Sequence, residues 1–496
     1  MAASLSAQSG AARAHEPLTL AAAVVPAPGM VAVTVDATRS RAPVNRALLG
    51  VDGPGPAGAG PAMSALGMSW VRTDVGFEHS YDCSTGSWNP TSLDGRVAQI
   101  LRMGAQPLLI VDYTPSCLAP IGPVPAPGTV AYEPPDVGTS GGVSDRTVWD
   151  GLVDRMASHE IARGVRAFEI WNEPDGTFWY GGLPGYLHLY QDTATVLELA
   201  AAAARVHVEV GGPALVFPDW SWIEPFLSFV AAQGLPLDFL SWHYYGNYPL
   251  LGPYGPVPKP PVGGPAPWYN PALRAQVYGT QVQQVRAEVA KFPSLRPLLW
   301  IDEWNVDAGF DPRQDGPFGA AFAAAVLDSV QGAGIDRMAF FDVADNPADP
   351  LGDWGMMTAD FVPKPVYRAF AFWHALSGAF VGVGLSPDQS AADSIGRVGA
   401  VASLSPRHSL TVLLYDFAPF DPTGGYGTND PTPFDHLVDL RAVGLKAGSY
   451  HWSRMVLDAS HAGTVVAQGT VRGPSADIRL QLAGEGLALV SFVPSS

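Results

Sequence analysis

Two glutamates in this chain stand in the same kind of setting. Glu173 ends the run Phe168-Glu169-Ile170-Trp171-Asn172-Glu173-Pro174-Asp175, and Glu303 lies in Leu299-Trp300-Ile301-Asp302-Glu303-Trp304-Asn305. Each run is apolar, delivers a carboxylate, then breaks into turn-formers and aromatics. That is how a buried parallel strand presents an acid at its C-terminal rim. Two carboxylates facing each other across one gap can cleave a glycosidic bond: one protonates the departing oxygen and the other attacks the anomeric carbon.

Their surroundings separate the two roles. Trp171, Pro174 and the group Phe178-Trp179-Tyr180 flank Glu173, and an apolar surround keeps on a carboxyl the proton that an acid must give. Asn172 is placed to bond a sugar 2-hydroxyl. Glu303 must stay ionised; Arg72, near the end of a second strand, and His243 and Tyr245, at the end of a sixth, are positioned to support it. Trp179 is the aromatic best placed to stack on a sugar. Trp149, Trp220, Trp222, Trp268 and Trp354 are further candidates, most of them better read as packing residues. The run Asp342, Asp345, Asp349, Asp353 lacks the compact alternation of a calcium loop and reads as sugar-hydroxyl contacts or solvated loop. His207 reads as barrel filling on a fifth strand. No histidine spacing marks a metal site, and no metal or other cofactor is expected.

Such residues need a frame. Strand-like runs fall at Ala47–Asp52, Ser69–Asp74, Gln106–Asp112, Arg166–Asn172, Val206–Gly212, Leu237–His243, Arg296–Glu303 and Arg337–Asp342. Helical patterns fall between them at Leu93–Met103, Arg146–Arg163, Tyr186–Ala204, Trp220–Gln233, Pro271–Lys291, Phe318–Gly332 and Lys364–Leu376. This alternation predicts an α/β protein with a closed (β/α)8 TIM barrel over 46–376. Connections into strands are short, whereas those after the third, sixth and eighth strands, about 113–145, 245–270 and 343–363, are long, as loops over an active face are. Beyond 377 the helical period stops. Short β-rich runs at Gly396–Leu404, Leu410–Phe417, Leu437–Leu445, Ser449–Leu457, Thr464–Val471 and Leu487–Val493 predict an accessory antiparallel β-sandwich over 377–496. Residues 28–45 carry a strand that most simply joins this sandwich, and 1–27 read as a disordered or targeting segment.

Composition narrows the partners. The 496 residues are 47% hydrophobic and 15% charged, with a net charge of −18. Nucleic acid is excluded as a partner, since phosphate binding needs clustered cations. An anionic polysaccharide is disfavoured too, unless a local arginine pair overrides the global charge. No apolar run reaches the ~18 residues of a membrane span. Arg13 followed by Leu18 to Val25 faintly resembles a signal peptide, but Glu16 interrupts it, so secreted and cytoplasmic placement both stay open. Cys83 and Cys117 follow successive strands and are either bonded or free. Oligomeric state is open, a homo-oligomer included.

The motif Phe168-Glu169-Ile170-Trp171-Asn172-Glu173-Pro174-Asp175 resembles the acid/base signature of glycoside hydrolase family 39, the β-xylosidase and α-L-iduronidase family of barrel glycosidases. Ser241-Trp242-His243-Tyr244-Tyr245, Trp300 to Asn305, and Gly355 to Asp360 leading into Pro363-Lys364-Pro365-Val366-Tyr367 add to the likeness. Arg166 departs from it, where the family usually carries tryptophan. The resemblance implies Glu173 as acid/base, Glu303 as nucleophile, Arg72 holding Glu303, Asn172 on the 2-hydroxyl, and His243 and Tyr245 in the −1 subsite. Where related enzymes often end strand 8 in a tryptophan, this chain has Phe340-Phe341-Asp342, leaving Trp354 or Phe341 to floor the sugar. The resulting expectation is a retaining, exo-acting β-xylosidase-type hydrolase whose partner is an oligosaccharide or glycoside. An endo-glycosidase on xylan or an exopolysaccharide, a transglycosylase, and a carbohydrate-binding protein without turnover are the alternatives.

Overall fold

The computed structural model describes residues 30–119, 135, 139–140, 143–246, 275–309, 311–348, 352–386, 397–417 and 435–495. Trp268, Asp349, residues 1–27 and much of the stretches 113–145 and 245–270 lie outside the described residues.

Among the described residues, eight barrel strands alternate with eight main helices, beside short loop elements such as the four-residue helix Phe77–Ser80. The strands are β1 (Gly50–Asp52), β2 (Trp70–Asp74), β3 (Gln106–Val111), β4 (Ala167–Ile170), β5 (Glu209–Leu215), β6 (Phe239–Tyr245), β7 (Leu298–Asn305) and β8 (Arg337–Phe340). The helices that follow them are α1 (Gly60–Ala65), α2 (Thr91–Arg102), α3 (Asp145–Arg163), α4 (Gly182–Ala204), α5 (Trp220–Gln233), α6 (Gln276–Val289), α7 (Pro317–Ala333) and α8 (Pro365–Ala375). The strands form one closed parallel barrel in chain order. Every residue of β6 is buried, as a strand covered by helices outside and side chains inside must be. At the closing seam Phe340 pairs with Val51. The seam needs glycine at Gly50, where an added Cβ would stand 2.2 Å from the Met338 carbonyl oxygen.

Side chains plug the N-terminal end of the barrel. The Arg337 guanidinium lies 3.7 Å from the Trp70 ring centre and 4.4 Å from that of Trp300, and makes two hydrogen bonds to Glu209. Phe239 stacks on Trp300 at 3.8 Å. With this end filled, the polar residues further along the strands face the opposite mouth.

The C-terminal strands β9 (Ala379–Ser386), β10 (Arg397–Leu404), β11 (Leu410–Phe417), β12 (His436–Val443), β13 (Ser449–Leu457), β14 (Ala462–Arg472), β15 (Ser475–Leu482) and β16 (Leu487–Pro494) form a second sheet. The N-terminal strand Met30–Pro43 joins it, giving the order β14-β13-β16-β11-β10-β9-N-terminal strand-β12-β15. All pairings are antiparallel except that of the N-terminal strand with β12. One face carries its own apolar core, with Val33, Val412, Leu440 and Phe492 in it. The other face shares the barrel's core through Leu413, Tyr415, Phe417 and Leu489.

Several elements differ from the sequence reading. Arg46–Leu48 is a 3-10 turn, so β1 starts at Gly50. The fifth strand begins at Glu209, which leaves His207 outside the barrel with its side chain 74% exposed; it does not fill the interior. Helix α1 (Gly-Pro-Ala-Met-Ser-Ala) and strands β9 and β15 were not foreseen. A glycine- and proline-bearing turn of helix hides from propensity, because only Met63 is buried on it.

Candidate active site

Strand β4 ends at Ile170, and the chain then turns sharply to bring Glu173 over the barrel mouth. Trp171 and Glu173 both adopt left-handed backbone conformations, with φ of 72° and 45°. Such conformations cost of order 1–3 kcal/mol each and persist only where their surroundings enforce them. Here the Trp171 indole N–H donates to the Phe178 carbonyl, and the Glu173 backbone N–H donates to the Ala214 carbonyl on β5.

Glu303 reaches the same space from β7 by a different device. Trp242 pairs with Ile301, but the next residue, His243, pairs with Glu303. The register slips by one, so Asp302 and Glu303 together oppose a single position of β6. A bulge of this kind re-aims side chains that strict alternation would send to opposite faces. Both carboxyls consequently face the Arg72 guanidinium, Asp302 at 3.8 Å and Glu303 at 3.1 Å.

Arg72 is the hub. Its Nε donates to Glu169 (2.7 Å), its Nη1 to Asp52 (2.6 Å) and Glu303 (3.1 Å), and its Nη2 to Asn172 (2.7 Å). Asn172 in turn donates to the Tyr113 hydroxyl at 3.0 Å. The Tyr245 hydroxyl donates to the second oxygen of Glu303 at 2.6 Å. His243, fully buried, places Nδ1 2.9 Å from Glu173 Oε1 and 3.5 Å from Glu303 Oε2. One oxygen of each glutamate and one ring nitrogen of His243 all lie within 4.8 Å of one another. The site thus brings Glu173, Glu303, Arg72, Asn172, His243 and Tyr245 together.

One guanidinium cannot neutralise four buried carboxylates, so protons make up part of the difference. Burial pushes Asp52 up to about 8 against the pull of Arg72. Burial and the Glu169 charge hold Asp302 well above the usual carboxylate range. Burial is the largest influence on Glu169 and would raise it, but the Arg72 guanidinium and the hydrogen bonds made to the carboxylate together outweigh it, and Glu169 is lowered. Glu173 has no such direct partner, and burial lifts it to about 7. Burial also lowers His243 to about 4, so its ring is neutral near pH 7.

On the β8 side, Asn305 ties the mouth together by donating to the Phe341 and Trp354 carbonyls. Trp354 is half-buried against Phe341, its indole N–H donating to the Asp307 carbonyl. Asp342 follows Phe341; burial and the neighbouring Asp52, Asp353 and Asp345 raise its carboxyl far above normal. Lys364 is engaged by Asp345 and Asp315.

Trp179 is a correction. It is only 4% exposed, packs on Trp171 at 4.9 Å and donates its indole N–H to the Gly182 carbonyl. It supports the turn that carries Glu173 from within the core, not a sugar from the cleft. Trp149 is likewise core, bonded to Thr193, and Trp220 and Trp222 pack against the barrel helices. The structure adds Tyr113, Glu169, Asp302, Asp52 and Ser241 to the site. Ser241 and Arg72 bond the two oxygens of Glu169. Away from the mouth, Asp94, His159 and Glu160 converge without any spacing that announced them. Arg163 already stands 3.2 Å from Asp94 and 3.4 Å from Glu160. Cys83 and Cys117 are joined in a disulfide that links the segments following β2 and β3.

A parallel eight-stranded barrel with acids gathered at its C-terminal mouth defines the architecture of a barrel glycosidase. The chain belongs to glycosyl hydrolases family 39, whose model matches residues 65–415. It is 29% identical over 308 residues to a β-xylosidase of Geobacillus stearothermophilus, covering 58% of this chain and 56% of that protein. The match thus spans little more than half of that relative. It is 23% identical over 368 residues to a β-xylosidase of Caldicellulosiruptor saccharolyticus, covering 71% and 69%. A monomeric β-xylosidase of Caulobacter crescentus superimposes with a TM-score of 0.72 at 19% identity, covering 94% of this chain and all of the other. That last likeness concerns the fold.

Proposed function

We propose that this protein is a retaining exo-glycosidase that releases a neutral β-linked sugar, with β-xylosides as its first substrates. Glu303 attacks the anomeric carbon and forms a glycosyl ester as Glu173 protonates the departing oxygen. Glu173 then takes a proton from water, which frees the sugar with its anomeric configuration kept. The observation that carries this reading is the closeness of the two acids, with oxygens within 4.8 Å of each other and of the His243 ring. A double displacement needs carboxyls about 5–5.5 Å apart, whereas an inverting enzyme needs about 6.5–9.5 Å to admit a water.

The remaining roles follow from contacts. Arg72 and Tyr245 each donate to one oxygen of Glu303 and hold it for attack. Asn172, anchored by Arg72 and Tyr113, faces the 2-hydroxyl. Trp354 and Asp342 line the β8 side of the −1 subsite. Charge favours a neutral sugar over a uronic acid. Arg72 and Lys364, the cations nearest the acids described above, are both already bound by acids, and Asp342 sits among further carboxyls. The β-xylosidase names of the two sequence relatives point to the same substrate class.

The test is a panel of aryl xylosides, arabinosides, glucosides, galactosides and glucuronides, with NMR of the first product and labelling by the matching 2-fluoro sugar. The expected outcome is fastest release from the β-xyloside, β-xylose as the first anomer, and the label on Glu303. An α-anomer would overturn retention, a label elsewhere would overturn the nucleophile, and mixed oligomers from xylan would mean endo action.

A further inference from the structure

The Glu173–His243 contact leaves one proton unassigned. His243 Nε2 is buried and has no hydrogen-bond partner, and no donor bonds either oxygen of Asp302, whose other close neighbour is the Glu169 carboxylate. These orphans face each other, with Nε2 3.7 Å from Asp302 Oδ1, a few tenths of an ångström beyond a hydrogen bond. Buried polar groups are rarely left unpaired, and a set of orphans in mutual contact asks for a shared proton. The other ring nitrogen, Nδ1, faces two carboxyl oxygens, Glu173 Oε1 and Glu303 Oε2. A lone pair on Nδ1 would point at both. A hydrogen on Nδ1 satisfies them and leaves Nε2 in need of a donor.

We propose that Asp302 is a positioning residue that fixes the tautomer of His243 by donating a proton to Nε2, so that Nδ1–H donates to Glu173 Oε1 and confines the catalytic proton to the other Glu173 oxygen. This rests on the acid role given to Glu173 above. An ionised Asp302 would do the reverse. It would draw the ring hydrogen to Nε2, turn the Nδ1 lone pair on Glu173, and pull the catalytic proton onto the oxygen that faces histidine. With the proton on Asp302, Glu173 releases its own proton to the leaving oxygen, and Nδ1–H then stabilises the carboxylate that remains. The bulge in β7 is what makes this possible, since it turns Asp302 inward beside Glu303.

The groups that surround the pair fit this assignment. Arg72 from β2 lies 3.8 Å from Asp302 Oδ2, the oxygen away from histidine. Glu169 from β4 also meets the Asp302 carboxyl and competes with Nε2 for its proton; each Glu169 oxygen already accepts one bond, from Ser241 or Arg72, which lessens its demand for another. Glu303, on the same strand as Asp302, faces Nδ1 rather than Nε2.

Two measurements test the proposal. In the wild-type enzyme labelled with 15N-histidine, His243 is expected to show the shifts of a neutral ring protonated at Nδ1. A ring protonated at Nε2 would overturn the proposal, whatever sugar the enzyme accepts. The second compares Asp302→Leu with Asp302→Asn. Leucine has no donor; asparagine keeps an N–H for Nε2. On a glycoside with a poor leaving group, Asp302→Leu should lower kcat/KM by about tenfold or more, within the range of general acid catalysis. On the dinitrophenyl glycoside, which needs little acid assistance, the loss should be under about threefold, and Asp302→Asn should recover most of the deficit. Equal losses on both leaving groups, or equal behaviour of the two variants, would reject the role. If the leucine variant does not fold, the wild-type spectrum alone decides. If the wild type cleaves no glycoside, the functional reading fails while the spectrum still reports the tautomer.

Discussion

Burial lifts the Glu173 carboxyl to about 7, so the acid keeps its proton where an ordinary glutamate has lost it, and kcat/KM should fall as pH rises past that value. The same shift bears on stability. An unfolded glutamate titrates near 4.3, so the folded chain binds this proton more tightly than the unfolded one. The stabilisation is complete below ~4.3 and lost as pH rises through about 7, because the native site must then hold a buried charge. The difference amounts to roughly 3 kcal/mol by pH 8. Asp52, pushed up to about 8, adds to the same slope. Glu173→Gln has no charge to bury and can still accept from His243. It should be nearly inactive on poor leaving groups, yet melt several degrees above the wild type at pH 8 and close to it at pH 4.5. A melting difference that does not change between those two pH values would show that Glu173 is not the group titrating.

The elements explain which of these residues the sequence could announce. Glu173, Glu303, Arg72, His243 and Tyr245 sit at or near the ends of predicted strands, and the barrel's βα alternation carries each of them to the mouth without further assumption. Asp302 was hidden because period-two alternation sends it to the face opposite Glu303; only the slip in register between β6 and β7 turns it inward. Glu169 was hidden in the middle of an apolar run, where a charge finds its reason only in Arg72 from another strand. Trp179 was misread because nearness in sequence to Glu173 says nothing about which way the turn after β4 faces. Its burial leads to a prediction at this scale. Trp179→Ala should destabilise the protein by ~3–5 kcal/mol, the usual loss for a buried tryptophan. At temperatures where the variant stays folded, KM for the glycoside should remain near the wild-type value. A raised KM with unchanged melting would restore the sugar-stacking role.

At the scale of the whole molecule, the second sheet is built into the barrel rather than hung from it. The chain lays down one strand of that sheet, Met30–Pro43, before it begins the barrel, and finishes the sheet only after the barrel is complete. The contact between the two is apolar and specific. Phe417 packs between Phe318 and Phe322 of α7, with ring centres 5.6 Å from each, and the Tyr415 hydroxyl donates to Asp328 on the same helix at 2.7 Å. Helix α7 is in turn buried along most of its length, with ten or more of its residues lost to solvent. A helix clamped between barrel and sheet transmits the loss of either to the other, so the described parts should unfold together. Calorimetry is expected to show a single transition. Phe417→Ala, which opens a cavity in that contact, should lower this one transition by the equivalent of ~3–5 kcal/mol without splitting it. Two separate melting steps in the wild type would mean that the sheet and barrel are held only side by side, and the assignment of α7 as their common support would fall with that result.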